Sequence, residues 1–391
     1  MLEDIAASRQ FAADIGCALD DCVDSIYLGG GTPSILDAPQ LLRIFAIVRE
    51  HFSVVGDAEV TVECAPGTLT SPTIEALLQC GVNRVSLGVQ SFVDQEAQSV
   101  GRLHKRANVL EDISRLRSAG LTNISIDLIA GLPHQTDESW AFSVSETIAT
   151  GVPHCSVYML EVDDDSRLGR ELIAGGARYH AHFVPDDDAT ADYYQRACEE
   201  LAGGGIEQYE ISNFARRATA AKSYESRHNL KYWTRQPYLG FGVDAHSMLS
   251  KVVSGYDPSG GRTVRFATPD ALDAFMNHAP HTLTPVSTQA ALEETFFLGL
   301  RLNRGVDLDE IRLAEGRDCS RATNATENTS SVEADFEQAI EECQRDGLLE
   351  KHGAVVRLTP RGRLLSNEVF ARFLAENPER TKVGTGHVNP R

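Results

Sequence analysis

The chain has 391 residues, 42% of them hydrophobic and 24% charged, with a formal net charge of -20. This is the composition of a folded protein with a sizeable core and room for two domains, and it excludes a disordered chain. The acidic balance argues against nucleic acid or an anionic membrane as partner, since both need clustered Lys and Arg.

No run of about 18 apolar residues occurs, so no integral membrane segment is expected. The start, MLEDIAASRQ, lacks the zones of a signal peptide, which makes a cytoplasmic location the expectation. Cys17, Cys22, Cys64, Cys80, Cys155, Cys198, Cys319 and Cys343 are scattered without a CxxC pair and read as free thiols of a reducing compartment. The glycosylation-like strings at Asn324 and Asn328 read as chance matches in such a chain.

The chain opens on an amphipathic helix with Leu2, Ile5, Phe11, Ile15 and Leu19 at helical spacing. Short β-branched runs then alternate with helical stretches to about residue 200, the pattern of βα units around a parallel sheet. The strands are expected at 25–29, 59–63, 84–89, 124–129 and 155–160, with helices such as 40–50 and 109–120 between them. Because the first element is a helix, a strand before it is missing from the pattern. The expected architecture is a partial (β/α) barrel of TIM type without its first strand, occupying residues 1–207, with ligands at the carboxyl ends of the strands.

Polar residues gather at those ends. The first strand runs into Gly29, Gly30, Gly31 and Thr32, where the backbone can approach a ligand closely. Glu63 and Gln90 end the second and third strands, and Asp127 stands inside the apolar run ISIDLIAGLP, where an acid is costly unless it binds something. Each has a structural alternative: Glu63 as a turn cap, Gln90 as a loop tie, Asp127 as a partner of Arg102. Four successive strand ends carrying such groups favour a binding site.

Residues 208–285 form an aromatic and polar connecting segment that includes HNLKYW. Residues 286–375 read as a small α+β domain in winged-helix order, expected to pack or dock rather than bind DNA. Residues 318–332 read as a surface insertion and 376–391 as a disordered tail. Three local strings are set aside: LGFGVDA lacks the context of a dinucleotide site, His180-Ala-His182 lacks a third metal ligand, and Asp163 to Asp165 is a solvated charge run. No metal site is expected from the residues present.

GGGTPS, VTVECAPGT, GVNRVSLGVQSF, GRLHKR, ISIDLIAGLPHQT, YEISNFA, HNLKYW, YLGFGVDAHS and LTPRGRLLSNEVFARFL together resemble the radical S-adenosylmethionine (SAM) proteins of the oxygen-independent coproporphyrinogen III oxidase family, nearest to its haem chaperone branch. The resemblance covers residues 1 to about 374. It implies a barrel that binds SAM, with Gly30, Gly31 and Thr32 at the methionyl part and Glu63, Gln90, Arg102 and Asp127 at further contacts. Asp127 suits the ribose hydroxyls and Arg102 the SAM carboxylate. It also implies haem or a porphyrin as ligand, with His228 of the HNxxYW segment as candidate axial ligand and a haem-acceptor protein as partner. The alternative for His228 is a helix cap.

One element of the family is absent from this sequence: the CxxxCxxC loop whose three thiolates hold a [4Fe-4S] cluster. Without it the family's route to a 5′-deoxyadenosyl radical is closed in the chain as written. The expectation is a natural protein with a further N-terminal segment, because an apolar parallel strand would otherwise form an open edge. The functions implied are, first, a haem chaperone; second, a coproporphyrinogen III oxidase; third, a cluster-free haem-binding short form.

Overall fold

A computed structural model describes residues 1–161, 170, 181–219, 223–252, 262–311 and 326–374. Asp163 to Asp165, His180, Cys319, residues 318–325 and the tail 376–391 lie outside the described residues. The chain divides into two compact units, Cys22–His228 and Met1–Asp21 with Asn229 onward.

The opening helix, α1 (Leu2–Asp14), forms as its spacing predicts. It belongs to the second unit, whereas the sequence reading put residues 1–207 together. Its Phe11 and Ala12 pack with Leu249, Val264 and Phe266, and the rings of Phe11 and Phe266 lie 5.1 Å apart. The apolar stripe was legible; the surface that buries it is an antiparallel sheet distant in sequence.

In the first unit, β1 (Cys22–Leu28), β2 (Ser53–Cys64), β3 (Arg84–Gln90), β4 (Ile124–Ala130) and β5 (His154–Met159) are parallel and in sequential order. β6 (Ile206–Gln208) and β7 (Asn213–Arg216) extend the sheet antiparallel, in the order β5-β7-β6. Sequential parallel order is that of a (β/α) barrel rather than a doubly wound sheet. All five expected strands are present. β1 is the edge of the sheet, and none of its residues is fully buried.

The intervening helices α2 (Ala38–His51), α3 (Ser71–Gln79), α4 (Asp94–Ser99), α5 (Arg106–Ser118), α6 (Asp137–Thr150) and α7 (Asp187–Gly203) start at side-chain caps where the sequence provides them. The Asp37, Thr70, Thr136 and Asp186 side chains each accept a first-turn backbone N–H. The outer face of the sheet supplies the apolar core, with Val62, Leu87, Ile126 and Leu128 against Leu41, Leu77, Leu116 and Trp140, all fully buried.

The inner face is polar. Strand residues alternate between faces, and register puts Ser25 and Tyr27 beside Glu59 and Thr61, Thr61 and Glu63 beside Arg84 and Ser86, Ser86 beside Ser125, and Ser125 and Asp127 beside His154 and Ser156.

In the second unit, β8 (His246–Ser250), β9 (Thr263–Ala267) and β10 (Thr282–Val286) form an antiparallel sheet in the order β10-β9-β8. The helix α8 (Arg227–Trp233) leads into it from the first unit, and α9 (Leu272–Met276) lies between its last two strands. The sequence read this stretch only as a connecting segment. Then α10 (Thr288–Gly299), β11 (Val306–Asp307), α11 (Thr326–Arg345), β12 (Leu349–His352) and β13 (Val355–Leu358) follow in winged-helix order, with sheet order β11-β13-β12. Residues 326–332, expected in an insertion, are the first turns of α11. Phe296, Phe336 and Phe373 form the core of this domain, with ring centroids 4.7 to 5.9 Å apart.

Candidate functional site

The site is built at the carboxyl ends of β1 to β4. Beyond β1 the chain turns through Gly29, Gly30 and Gly31 into a single 3-10 turn, Pro33–Ile35, entered at Thr32. Gly30 has φ +102, open to glycine and not to other residues. A Cβ on Gly29 would lie 2.7 Å from the Tyr27 ring and 2.8 Å from Glu63 Oε1, whereas one on Gly30 or Gly31 would meet nothing within 4 Å. The loop is therefore wedged at its root and open at its tip.

Glu63 spans that root. Its Oε2 accepts from the Gly30 backbone N–H at 3.2 Å, and its Oε1 accepts from the Tyr27 hydroxyl at 2.8 Å. The expected alternative, a cap of its own turn, is not what it does. Next to it, Ser34 Oγ meets Thr68 Oγ1 at 2.6 Å and accepts from the Ala65 N–H, joining the loops after β1 and β2.

At the end of β3 the register slips between Leu87 and Gln90, and Gln90 takes φ +67. That turn brings its amide over Gly88: a Cβ there would lie 3.3 Å from Gln90 Nε2 and 3.9 Å from Arg102 Nη2. Gln90 and Arg102 thus face the same small area of strand. Arg102 forms no ion pair among the described residues. Its neighbour His104 anchors the segment through Nε2 to the Val89 carbonyl at 3.1 Å.

Asp127 does not pair with Arg102. Ser86 Oγ is 3.0 Å from each of its carboxylate oxygens. Burial pushes Asp127 up to about 6, and the nearby Glu63 charge adds to that, while hydrogen bonds from Ser156 and Ser86 and the Arg84 charge oppose it. Two carboxylates, a guanidinium with no ion pair among the described residues and an open glycine loop are groups whose chemistry suits a zwitterionic ligand with cationic character.

His228 lies near the amino end of α8, and the alternative role of cap belongs instead to Glu59. That carboxylate accepts from the backbone N–H groups of Arg227 and His228, each at 3.0 Å. The His228 ring is held by β1: Nδ1 meets Ser25 Oγ at 3.2 Å, and the ring stacks on Tyr27 at 5.0 Å and 24°. Ser25, Tyr27, Glu59, Ser86 and Gly88 were not singled out in the sequence; the signal was the alternation of polar residues along strands whose other face is apolar.

The residues present do not fit an iron-sulfur cluster. The described cysteines are free and dispersed, and no group of three His, Cys, Asp or Glu suited to a metal occurs among the described residues. The Cys64 and Cys155 thiols, buried in the sheet, are pushed up by burial and so stay protonated. No described helix is long and apolar enough to cross a membrane.

Residues 11–144 match the radical SAM superfamily, and residues 286–365 match the HemN C-terminal domain. The haem chaperone HemW of Bacillus subtilis is 33% identical over 356 residues, covering 90% of this chain and 86% of that protein. HemW of Mycobacterium tuberculosis H37Rv is 31% identical over 360 residues, 90% of this chain and 81% of the relative. Among solved structures, coproporphyrinogen III oxidase HemN of Escherichia coli aligns over 96% of this chain and 83% of its own with a TM-score of 0.74 at 20% identity. That likeness establishes the fold, a partial radical SAM barrel with a small C-terminal domain. The chain belongs to the HemN-like family of radical SAM proteins, in the branch of the haem chaperones HemW.

Proposed function

We propose that this protein is a haem chaperone that binds haem and passes it to an acceptor protein, and that it binds SAM at the strand ends. The observation that carries the reading is the similarity to HemW chaperones over most of both chains. The likeness to the oxidase is one of fold and adds no substrate.

SAM, when bound, presents an ammonium, a sulfonium, a carboxylate and a ribose diol. Gly30 and Gly31 have open space for its methionyl part beside Thr32 and the Glu63 carboxylate. Arg102 offers its guanidinium to the SAM carboxylate, Asp127 accepts from the ribose diol, and Gln90 adds an amide beside Arg102. No step is assigned to a cluster, because the residues present do not hold one.

For haem, His228 is the candidate ligand. The Ser25 hydroxyl at Nδ1 would do what a second partner does for a metal-bound imidazole, which is to fix the ring orientation. Titration of the chain with haemin should give a Soret band, and apomyoglobin should then draw the haem away. His228→Ala should weaken haem binding and leave SAM affinity as it was. A wild-type chain with no Soret band removes the haem reading, and an unchanged band in His228→Ala removes His228 as ligand.

A further inference from the structure

We propose that Tyr27 is a positioning residue that joins the glycine loop to His228, so that SAM and haem each raise the affinity for the other. The proposal rests on the haem reading above and goes beyond it.

The connection is continuous. The Gly30 N–H donates to one Glu63 oxygen at 3.2 Å, the Tyr27 hydroxyl donates to the other at 2.8 Å, and the Tyr27 ring lies against His228 at 5.0 Å. Gly29 shows how closely this is packed, since even a methyl there would overlap both the Tyr27 ring and the Glu63 carboxylate.

One end of this chain of contacts has open space around it and the other is held. Gly30 and Gly31 have open space around them, and Gly30 holds φ +102. At the far end Glu59 anchors the backbone of Arg227 and His228, and Ser25 holds the imidazole. A ligand that orders the loop therefore orders Glu63, and through it the ring beneath His228. Coupling between two binding equilibria is reciprocal, so haem tightens SAM by the same factor.

The test is a haemin titration of the full chain, read at the Soret band with and without saturating SAM, with SAM binding followed by equilibrium dialysis. SAM should lower the haem Kd about fivefold or more, within the usual range of coupling between sites. Tyr27→Phe keeps the ring and loses the hydroxyl, so the ratio of its haem Kd with and without SAM should fall to about one. Tyr27→Leu removes the ring as well and should also shift the Soret maximum, an effect that a change in stability alone would not produce. A SAM effect that persists in Tyr27→Phe overturns the proposal, as does a wild-type haem Kd that SAM leaves unchanged or weakens. If haem binds and SAM does not, the coupling falls and the haem reading stands; if haem does not bind, both fall.

Discussion

Asp127 gives the sharpest test of the site, because its charge state is set by the surroundings described above. The carboxyl is raised from 3.8 to about 6, mainly by burial, with the Glu63 charge acting in the same direction. The other groups facing it are Arg84 from β3, which pulls the other way, and the phenols of Tyr27 and Tyr158, which burial pushes up and which remain neutral. If the ionised carboxylate accepts the ribose hydroxyls, apparent SAM affinity follows the ionised fraction. That fraction rises from about one tenth at pH 5 to about nine tenths at pH 7, so the Kd should tighten roughly tenfold over that interval.

The same shift acts on stability in the opposite sense. The folded pKa lies above the unfolded one, so the contribution of Asp127 is fully present below about pH 4 and is lost as pH rises through about 6. A difference of about two units corresponds to about 3 kcal/mol. Equilibrium dialysis of SAM and urea unfolding across this pH range measure the two effects on one preparation. Asp127→Asn should flatten the SAM profile and remove this part of the stability profile. A SAM Kd independent of pH in wild type, or a dependence that survives in Asp127→Asn, would refute the assignment.

Three further substitutions probe the supports of the site. Glu59→Gln weakens the cap on α8 and should cost about 1 kcal/mol in urea unfolding, the usual effect of a lost helix cap, while lowering the Soret intensity; a normal haem spectrum would show that the cap does not position His228. Gly88→Ala places a methyl 3.3 Å from Gln90 Nε2, against the end of a side chain that can yield, so Tm should hold while SAM affinity falls by as much as about tenfold, or 1.4 kcal/mol. An unchanged SAM Kd would place the ligand away from Gln90 and Arg102. Thr61→Val removes a buried hydroxyl that has no partner among the described residues and should leave stability unchanged or raised; a loss of more than about 1 kcal/mol would reveal an ordered water on that hydroxyl.

The parallel strands were legible because each carries a β-branched run with an apolar outer face, as in Val60 and Val62 or Ile124, Ile126 and Leu128. The strand-end residues stood out because glycines and acids are costly in such places. The supporting residues were harder to find. Ser25, Tyr27 and Glu59 matter through register, which sets Ser25 beside Glu59 and Tyr27 beside Thr61, and register depends on pairing between segments thirty residues apart. The antiparallel sheet β8 to β10 escaped for the same reason: its strands are short and pair across long connections, so only local character could be read. The helix α1 shows the limit clearly, since its periodicity gave the element and said nothing of which unit would bury Phe11.

The inner face also separates residues that hold the barrel from residues proposed for a ligand. At the lower level, His154 is buried and driven well down in pKa, first by burial and then by Arg84, so it is neutral. Its Nδ1 faces Ser125 Oγ at 2.7 Å and Arg84 Nη2 at 3.2 Å, which makes Nε2 the protonated atom that donates to the Tyr209 hydroxyl at 3.0 Å. Tyr209 accepts in turn from the Ser226 N–H, one residue before α8 begins. Together with Glu59, this level fixes the start of the helix that carries His228. One level higher stand Glu63, Gln90, Arg102 and Asp127, the residues proposed for SAM, beside a glycine loop with open space at Gly30 and Gly31. Tyr27 belongs to both levels, with its ring on His228 and its hydroxyl on Glu63. That is why a single oxygen atom on this ring suffices to test whether the two ligands communicate.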